Sequence, residues 1–163
     1  GAHGQHARAR EGPLSPTMAI TRADFPLPDI DDPLTGEFFA GAARGELVIP
    51  RCGQCARFVW YPAAECPGCG GEPTWVPVSG DATLFSWAVV RRAFLPAFAA
   101  MVPFVTALVA LAEDPAVRLC TYVVDAEPDR LHAEMALRVT FRPLRFPTVP
   151  DRAVTVPMFE VRS

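Results

Sequence analysis

The sequence predicts a mainly β protein, in which a metal-stapled module precedes a small closed or nearly closed antiparallel barrel. Three observations predict it. Two Cys-x2-Cys pairs, Cys52/Cys55 and Cys66/Cys69, stand ten residues apart. After them come four apolar stretches of strand length, bounded by turn residues and separated by no long helix. Eighteen prolines in 163 residues, roughly twice the usual ~5% share, favour short strands and turns.

Taken in order, residues 1–17 are polar, rich in Ala, Arg, Gly and Pro, and precede Met18. They read as a tag, a linker or a disordered start. Residues 18–45 form an extended, proline-punctuated segment and then a helix. Asp32-Pro33 supplies the N-cap and first helical residue, and Gly45 the stop. Leu34, Phe38 and Ala42 share a stripe with Phe39 beside it. Gly36 and Gly41 weaken this helix, so it depends on burying its phenylalanines. Phe38 and Phe39 either pack on their own domain or form a partner-docking face.

Residues 46–78 hold the cysteines, with strand-like pieces at 46–50 and 58–61. The remainder, 79–163, is the barrel domain, entered through the Ser79-Gly80-Asp81 turn. Its strands are expected at 82–90, 104–112, 117–124 and 135–142. The last alternates cleanly: Met135, Leu137, Val139 and Phe141 face one way, Arg138, Thr140 and Arg142 the other. Glu113-Asp114-Pro115 reads as a tight turn, and 129–133 as one helical turn.

Composition removes whole classes of chemistry. All fifteen basic residues are arginine, so Schiff-base, P-loop and general-base lysines are excluded. His3 and His6 lie in the leading segment, and His132 lies in a polar turn. No nucleophile elbow, dinucleotide fingerprint or Walker loop occurs. The net charge of −3 offers no basic field for nucleic acid. No apolar run is long enough for a membrane helix and no export signal is read, so a cytoplasmic location is expected. The chain does not look like a complete enzyme, and no catalytic residue is assigned in it.

The cysteines carry the strongest signal. Glycines beside each pair (Gly53, Gly68, Gly70) let backbone amides turn toward the sulfurs and stabilise thiolate charge. Two such knuckles place Cys52, Cys55, Cys66 and Cys69 around one zinc ion. Four thiolates complete a tetrahedral shell and leave no position for water or substrate, so the zinc is structural. Cys120, in a strand with apolar residues on both faces, is expected to be a small buried hydrophobe. Arg91 and Arg92 end a strand and lead into an aromatic loop with Phe94 and Phe98. That segment suits a phosphate-bearing ligand or a protein partner, or is an ordinary solvated strand end whose hydrophobic loop folds inward.

In order and spacing these residues resemble one known family. The helix is followed by Gly45-Glu46-Leu47, then Pro50-Arg51-Cys52-x2-Cys55, Trp60-Tyr61-Pro62, Cys66-Pro67-x-Cys69, Trp75 and Ser79-Gly80. Next come the 91–98 loop, Pro103-Phe104-Val105 and Val156-Pro157-Met158-Phe159. The series is similar to the acyl-CoA-associated family known as domain of unknown function 35, over residues 30–160. The resemblance implies an N-terminal helix, a rubredoxin-like zinc ribbon and a five-stranded OB-fold barrel. It also implies a non-catalytic accessory subunit in a hetero-oligomer with a thiolase-like enzyme, or with a hot-dog-fold hydratase, that helps bind or channel an acyl-CoA. A steroid side-chain retro-aldolase, a carbon–carbon lyase, is the expected complex. One departure from the resemblance is Glu134-Met135-Ala136, where family members usually carry a glycine before the last core strand. The competing readings are a single-stranded nucleic-acid module and a stand-alone acyl-CoA-binding protein.

Overall fold

The computed structural model describes residues 22–162; the leading segment, 1–17, lies outside them. One helix, α1 (Gly36–Ala43), precedes seven strands: β1 (Val48–Cys52), β2 (Pro73–Pro77), β3 (Asp81–Val90), β4 (Phe104–Leu111), β5 (Arg118–Val123), β6 (Ala136–Phe146) and β7 (Val149–Val161). β1 and β2 form an antiparallel pair of their own, and the rest close a barrel in the order β3-β4-β5-β7-β6. The circuit is completed by β3–β6 pairing (Ala82 opposite Leu137) and by one parallel register point between β5 and β7, Val123 opposite Phe159. Mainly β with one N-terminal helix and a closed five-stranded barrel is thus the architecture. Among the described residues no helix is long and apolar enough to cross a membrane.

The helix starts later than expected. Asp32 does not cap it; its Oδ1 accepts the N–H groups of Leu34 and Thr35 and closes a turn, and Thr35 takes the N-cap position. The stop at Gly45 holds, with φ +77. Gly41 is no mere weakness: a Cβ there would meet Val48 Cγ2 at 2.7 Å, so glycine lets α1 lie close against β1. Gly80, at φ +80 and pressed against Val139, serves the same purpose at the entrance to the barrel.

One strand expectation needs correcting and two strands are additional to those expected. Residues 58–61 form no strand, only an isolated bridge between Phe58 and Arg51. β2 begins and ends on proline, Pro73 and Pro77, which in a two-stranded sheet sit where ladder donors are dispensable. β7 contains Pro150 and Pro157 and is nonetheless the longest strand. β6 and β7 form a hairpin in which Phe146 opposes Val149. The helical turn expected at 129–133 is a 3-10 turn at Pro128–Arg130.

The main core lies inside the barrel. Leu84, Val109, Leu119, Leu137 and Phe159 are essentially inaccessible, and Leu47, just before β1, and Ile49 within it join the same cluster. A second cluster joins Leu27 of the N-terminal arm to Leu144, Phe146 and Met158, with Phe39 and Phe98 against it. The zinc hairpin is therefore stitched to the barrel through β1, and the arm through Leu27.

Candidate functional site

Each cysteine pair folds as the same knuckle. After the first pair, Ala56 takes a left-handed conformation (φ +59) and donates its N–H to the Cys52 carbonyl at 3.0 Å. After the second pair, Gly70 (φ +73) does the same to Cys66 at 2.9 Å. The turn aims amides at sulfur: the Gln54 N–H donates to Cys52 Sγ at 3.4 Å. Gly71 keeps the approach open, since a Cβ there would lie 2.9 Å from Cys52 Sγ.

The four Sγ atoms lie within 4.8 Å of one another. Cys52 and Cys69 are 3.5 Å apart, and Cys55 and Cys66 are 3.7 Å apart. A tetrahedron with Zn–S of about 2.3 Å has S···S edges of about 3.8 Å, so the cluster fits a zinc ion. Protonation preferences show why a cation belongs there. The N–H groups of Cys55 and Gln54 hold the Cys52 thiol down to about 6. Although the Gly71 N–H favours a Cys69 thiolate, the sulfurs of Cys52 and Cys55 push Cys69 up to about 11. Amides favour thiolates at this site while crowding forbids four bare ones, and a divalent ion removes the conflict. Cys52 and Cys66 are buried, and Cys55 and Cys69 are exposed. This is a structural zinc centre with one ion and four Cys ligands.

The 91–98 segment is divided by the fold. Arg91 and Arg92 are exposed, and Phe94 is 91% exposed with Leu95 beside it. Phe98 instead closes a 3-10 turn (Pro96–Phe98) and packs edge-on to Phe146 at 5.2 Å. It is the rigid foot of the loop, whereas Phe94 is the part presented. Between Asp81 and Glu113 the chain carries no charge except Arg91 and Arg92, so the β3–β4 hairpin is otherwise apolar and carries only positive charge.

Phe38 and Phe39 are half-buried on their own chain, Phe38 against Trp60 at 5.4 Å and Phe39 in the second cluster. Cys120 is not buried, contrary to expectation. In β5, Leu119, Thr121 and Val123 point inward, and Arg118 and Cys120 point out. The inward polar member, Thr121, donates its hydroxyl to the Pro157 carbonyl at 3.0 Å. Cys120 instead meets Phe38, Trp60 and Tyr61 in a groove of about 320 Å³. Sequence reasoning missed this groove, because its lining comes from four separate segments and carries no local motif.

Comparison with known proteins places this geometry. Residues 39–75 match the model of the ChsH2 rubredoxin-like zinc ribbon domain, and residues 75–142 that of the ChsH2 C-terminal OB-fold domain. The chain belongs to the ChsH2 (DUF35) family. One similar solved structure is titled "Ltp2-ChsH2(DUF35) aldolase". It is 29% identical, with a TM-score of 0.68 over 80% of this chain and 95% of that one. A DUF35 protein of unknown function from Sulfolobus solfataricus shares the fold at 13% identity and a TM-score of 0.51, over 80% and 87% of the two chains. Among curated proteins nothing matches. The family explains the pairing of zinc hairpin and barrel in one chain, and Glu134, in the stretch before β6 where the resemblance led one to expect a glycine, adopts φ +63.

Proposed function

We propose that this chain is a non-catalytic accessory subunit of a thiolase-superfamily acyl-CoA complex, acting in the cytoplasm on steroid side-chain cleavage by retro-aldol chemistry. The observation that carries the reading is the likeness to the ChsH2-containing aldolase over nearly the whole of that solved chain. The chemistry of this chain agrees with it. Its one metal site among the described residues is closed by four thiolates and serves folding. It has no lysine, and His132 is exposed in a surface turn with Nδ1 against the neighbouring Ala133 carbonyl.

In this reading the chain stabilises the catalytic subunit and shapes the entrance for the thioester. Arg91 and Arg92, exposed and without an acidic neighbour in their hairpin, offer the fork-like donors that phosphate groups take. Phe94 beside them covers the apolar part of the ligand or of the subunit. Phe98 holds the loop in place from below.

The test is co-expression with a thiolase-like protein from the same genome. The expected result is a stable complex whose carbon–carbon cleavage activity collapses without this chain. A partner that is equally soluble and active alone would refute the reading. The Arg91→Ala, Arg92→Ala double variant should raise KM for the CoA thioester while leaving complex formation intact.

A further inference from the structure

The N-terminal arm, α1, the zinc hairpin and β5 meet around the groove of about 320 Å³ noted above. Its walls are aromatic. Tyr61 stacks on Trp60 at 5.2 Å, Trp60 leans on Phe38, and Tyr61 remains 68% exposed. The Trp60 indole N–H is buried without an acceptor. Two charged residues line the groove, Asp29 and Asp32, and no basic residue does.

Each carboxylate is tied locally through one oxygen: Asp29 Oδ1 accepts the Asp31 N–H, and Asp32 Oδ1 accepts those of Leu34 and Thr35. Neither forms an ion pair among the described residues. Arg22, near enough to feel Asp29, is already committed to Asp24. The groove is therefore apolar, aromatic and negative, the opposite in sign to the Arg91–Arg92 loop. A phosphate-bearing thioester is repelled there. A protein segment that sets an apolar side chain beside a cation is not: the side chain fills the space next to Phe38 and Trp60, and the cation lies over the Tyr61 ring near Asp29.

We propose that this groove docks an exposed apolar segment bearing an arginine or lysine, supplied by the catalytic subunit. The inference rests on the accessory-subunit reading and adds where and through what chemistry the two chains meet. Cys120 at its edge is an internal reporter, because it is the one cysteine outside the zinc cluster.

The test titrates the full zinc-loaded chain with the thiolase-like subunit, comparing wild type with Asp29→Arg and Tyr61→Ala. Both positions are exposed, so both variants should keep the wild-type circular dichroism and zinc content. Each is expected to weaken Kd about tenfold, which corresponds to roughly 1.4 kcal/mol. Complex formation should slow alkylation of Cys120 by N-ethylmaleimide several-fold, read by mass spectrometry on its peptide. Unchanged Kd in both variants with unchanged Cys120 labelling would overturn the docking site and leave the accessory role standing. No complex even with wild type would overturn both. Self-association of this chain alone, lost in Asp29→Arg, would overturn the proposal in favour of a second copy, whose own Arg91–Leu95 loop has matching chemistry.

Discussion

The zinc hairpin and the barrel solve the problem of stability by different means. The barrel closes its sheet around fourteen buried apolar residues, two of them, Leu47 and Ile49, lent by the start of the zinc hairpin. The hairpin has a buried cluster of its own consisting of Cys52, Val59 and Cys66, far too little to offset the conformational entropy of ordering its 48–77 loop. In the barrel, cohesion is spread over many contacts and no single residue is indispensable. In the hairpin it is concentrated in one ion, and every ligand is.

Metal removal should expose that difference most sharply. Structural zinc contributes about 10 kcal/mol or more to small modules, so chelation or Cys66→Ser should unfold the hairpin outright. Heteronuclear NMR should show the indole signals of Trp60 and Trp75 collapsing while that of Trp87, in β3, keeps its dispersion. The barrel's melting point should also fall by several degrees, since Leu47 and Ile49 leave its core. Retention of all three indole signals without zinc would show that the hairpin has another source of stability.

The complementary lesion lies in the barrel. Leu84 has no accessible surface, and Leu84→Ala should cost about 2–5 kcal/mol through the lost transfer energy and the cavity. Denaturant unfolding should show this loss with zinc stoichiometry still at one per chain. The loop offers a matched pair of controls. Phe98→Ala should destabilise by about 3 kcal/mol, whereas Phe94→Ala, at 91% exposure, should leave unfolding unchanged.

The two regions also differed in how legible they were. The zinc site could be read completely because its information is local: two knuckles, each specified by residues within five positions, fix four sulfurs. The first half of β6, with Leu137, Val139 and Phe141 on the core face, was equally readable from alternation, whereas Leu144 and Phe146, buried beyond the expected strand and out of phase with it, were not. What could not be read depends on partners distant in sequence. Cys120 looked buried because its neighbours are apolar on both sides, and only closure of the barrel decides which of Cys120 and Thr121 points inward. β2 and β7 were not among the expected strands; each contains two prolines (Pro73 and Pro77, Pro150 and Pro157), which a strand tolerates where the ladder does not need the missing N–H. The Asp29–Tyr61–Cys120 groove exists only after the arm, hairpin and β5 have been brought together.

A smaller effect joins the two regions at their boundary. Glu113, in the turn after β4, accepts the Ser79 N–H at 2.6 Å, where the hairpin hands over to the barrel. Burial alone would raise its pKa, but the Ser79 hydrogen bonds outweigh that and hold it below the ordinary 4.5. Its contribution to stability is therefore present above about pH 4.5 and lost as pH falls through its lower folded value. Glu113→Gln should flatten the acid limb of the stability profile while leaving stability at pH 7 only slightly reduced. An unchanged acid limb would mean the Ser79 contact is made equally by the neutral side chain.

The finest comparison makes one backbone correction in each region. Ala56 closes the first knuckle at φ +59 where the second knuckle uses Gly70, and Glu134 precedes β6 at φ +63. A left-handed conformation costs a residue with a Cβ about 1–2 kcal/mol, and glycine returns roughly 0.5–1 kcal/mol of that through its looser unfolded state. Ala56→Gly and Glu134→Gly should therefore each stabilise by about 0.5 kcal/mol. The gains should appear in different measurements. Ala56→Gly should tighten zinc about twofold in a competition titration and leave barrel unfolding unmoved. Glu134→Gly should raise the denaturant midpoint of the barrel and leave zinc affinity unmoved. If either gain appeared in the other region's measurement, the hairpin and barrel would be unfolding as one cooperative unit, and the division of labour between ion and core would have to be abandoned.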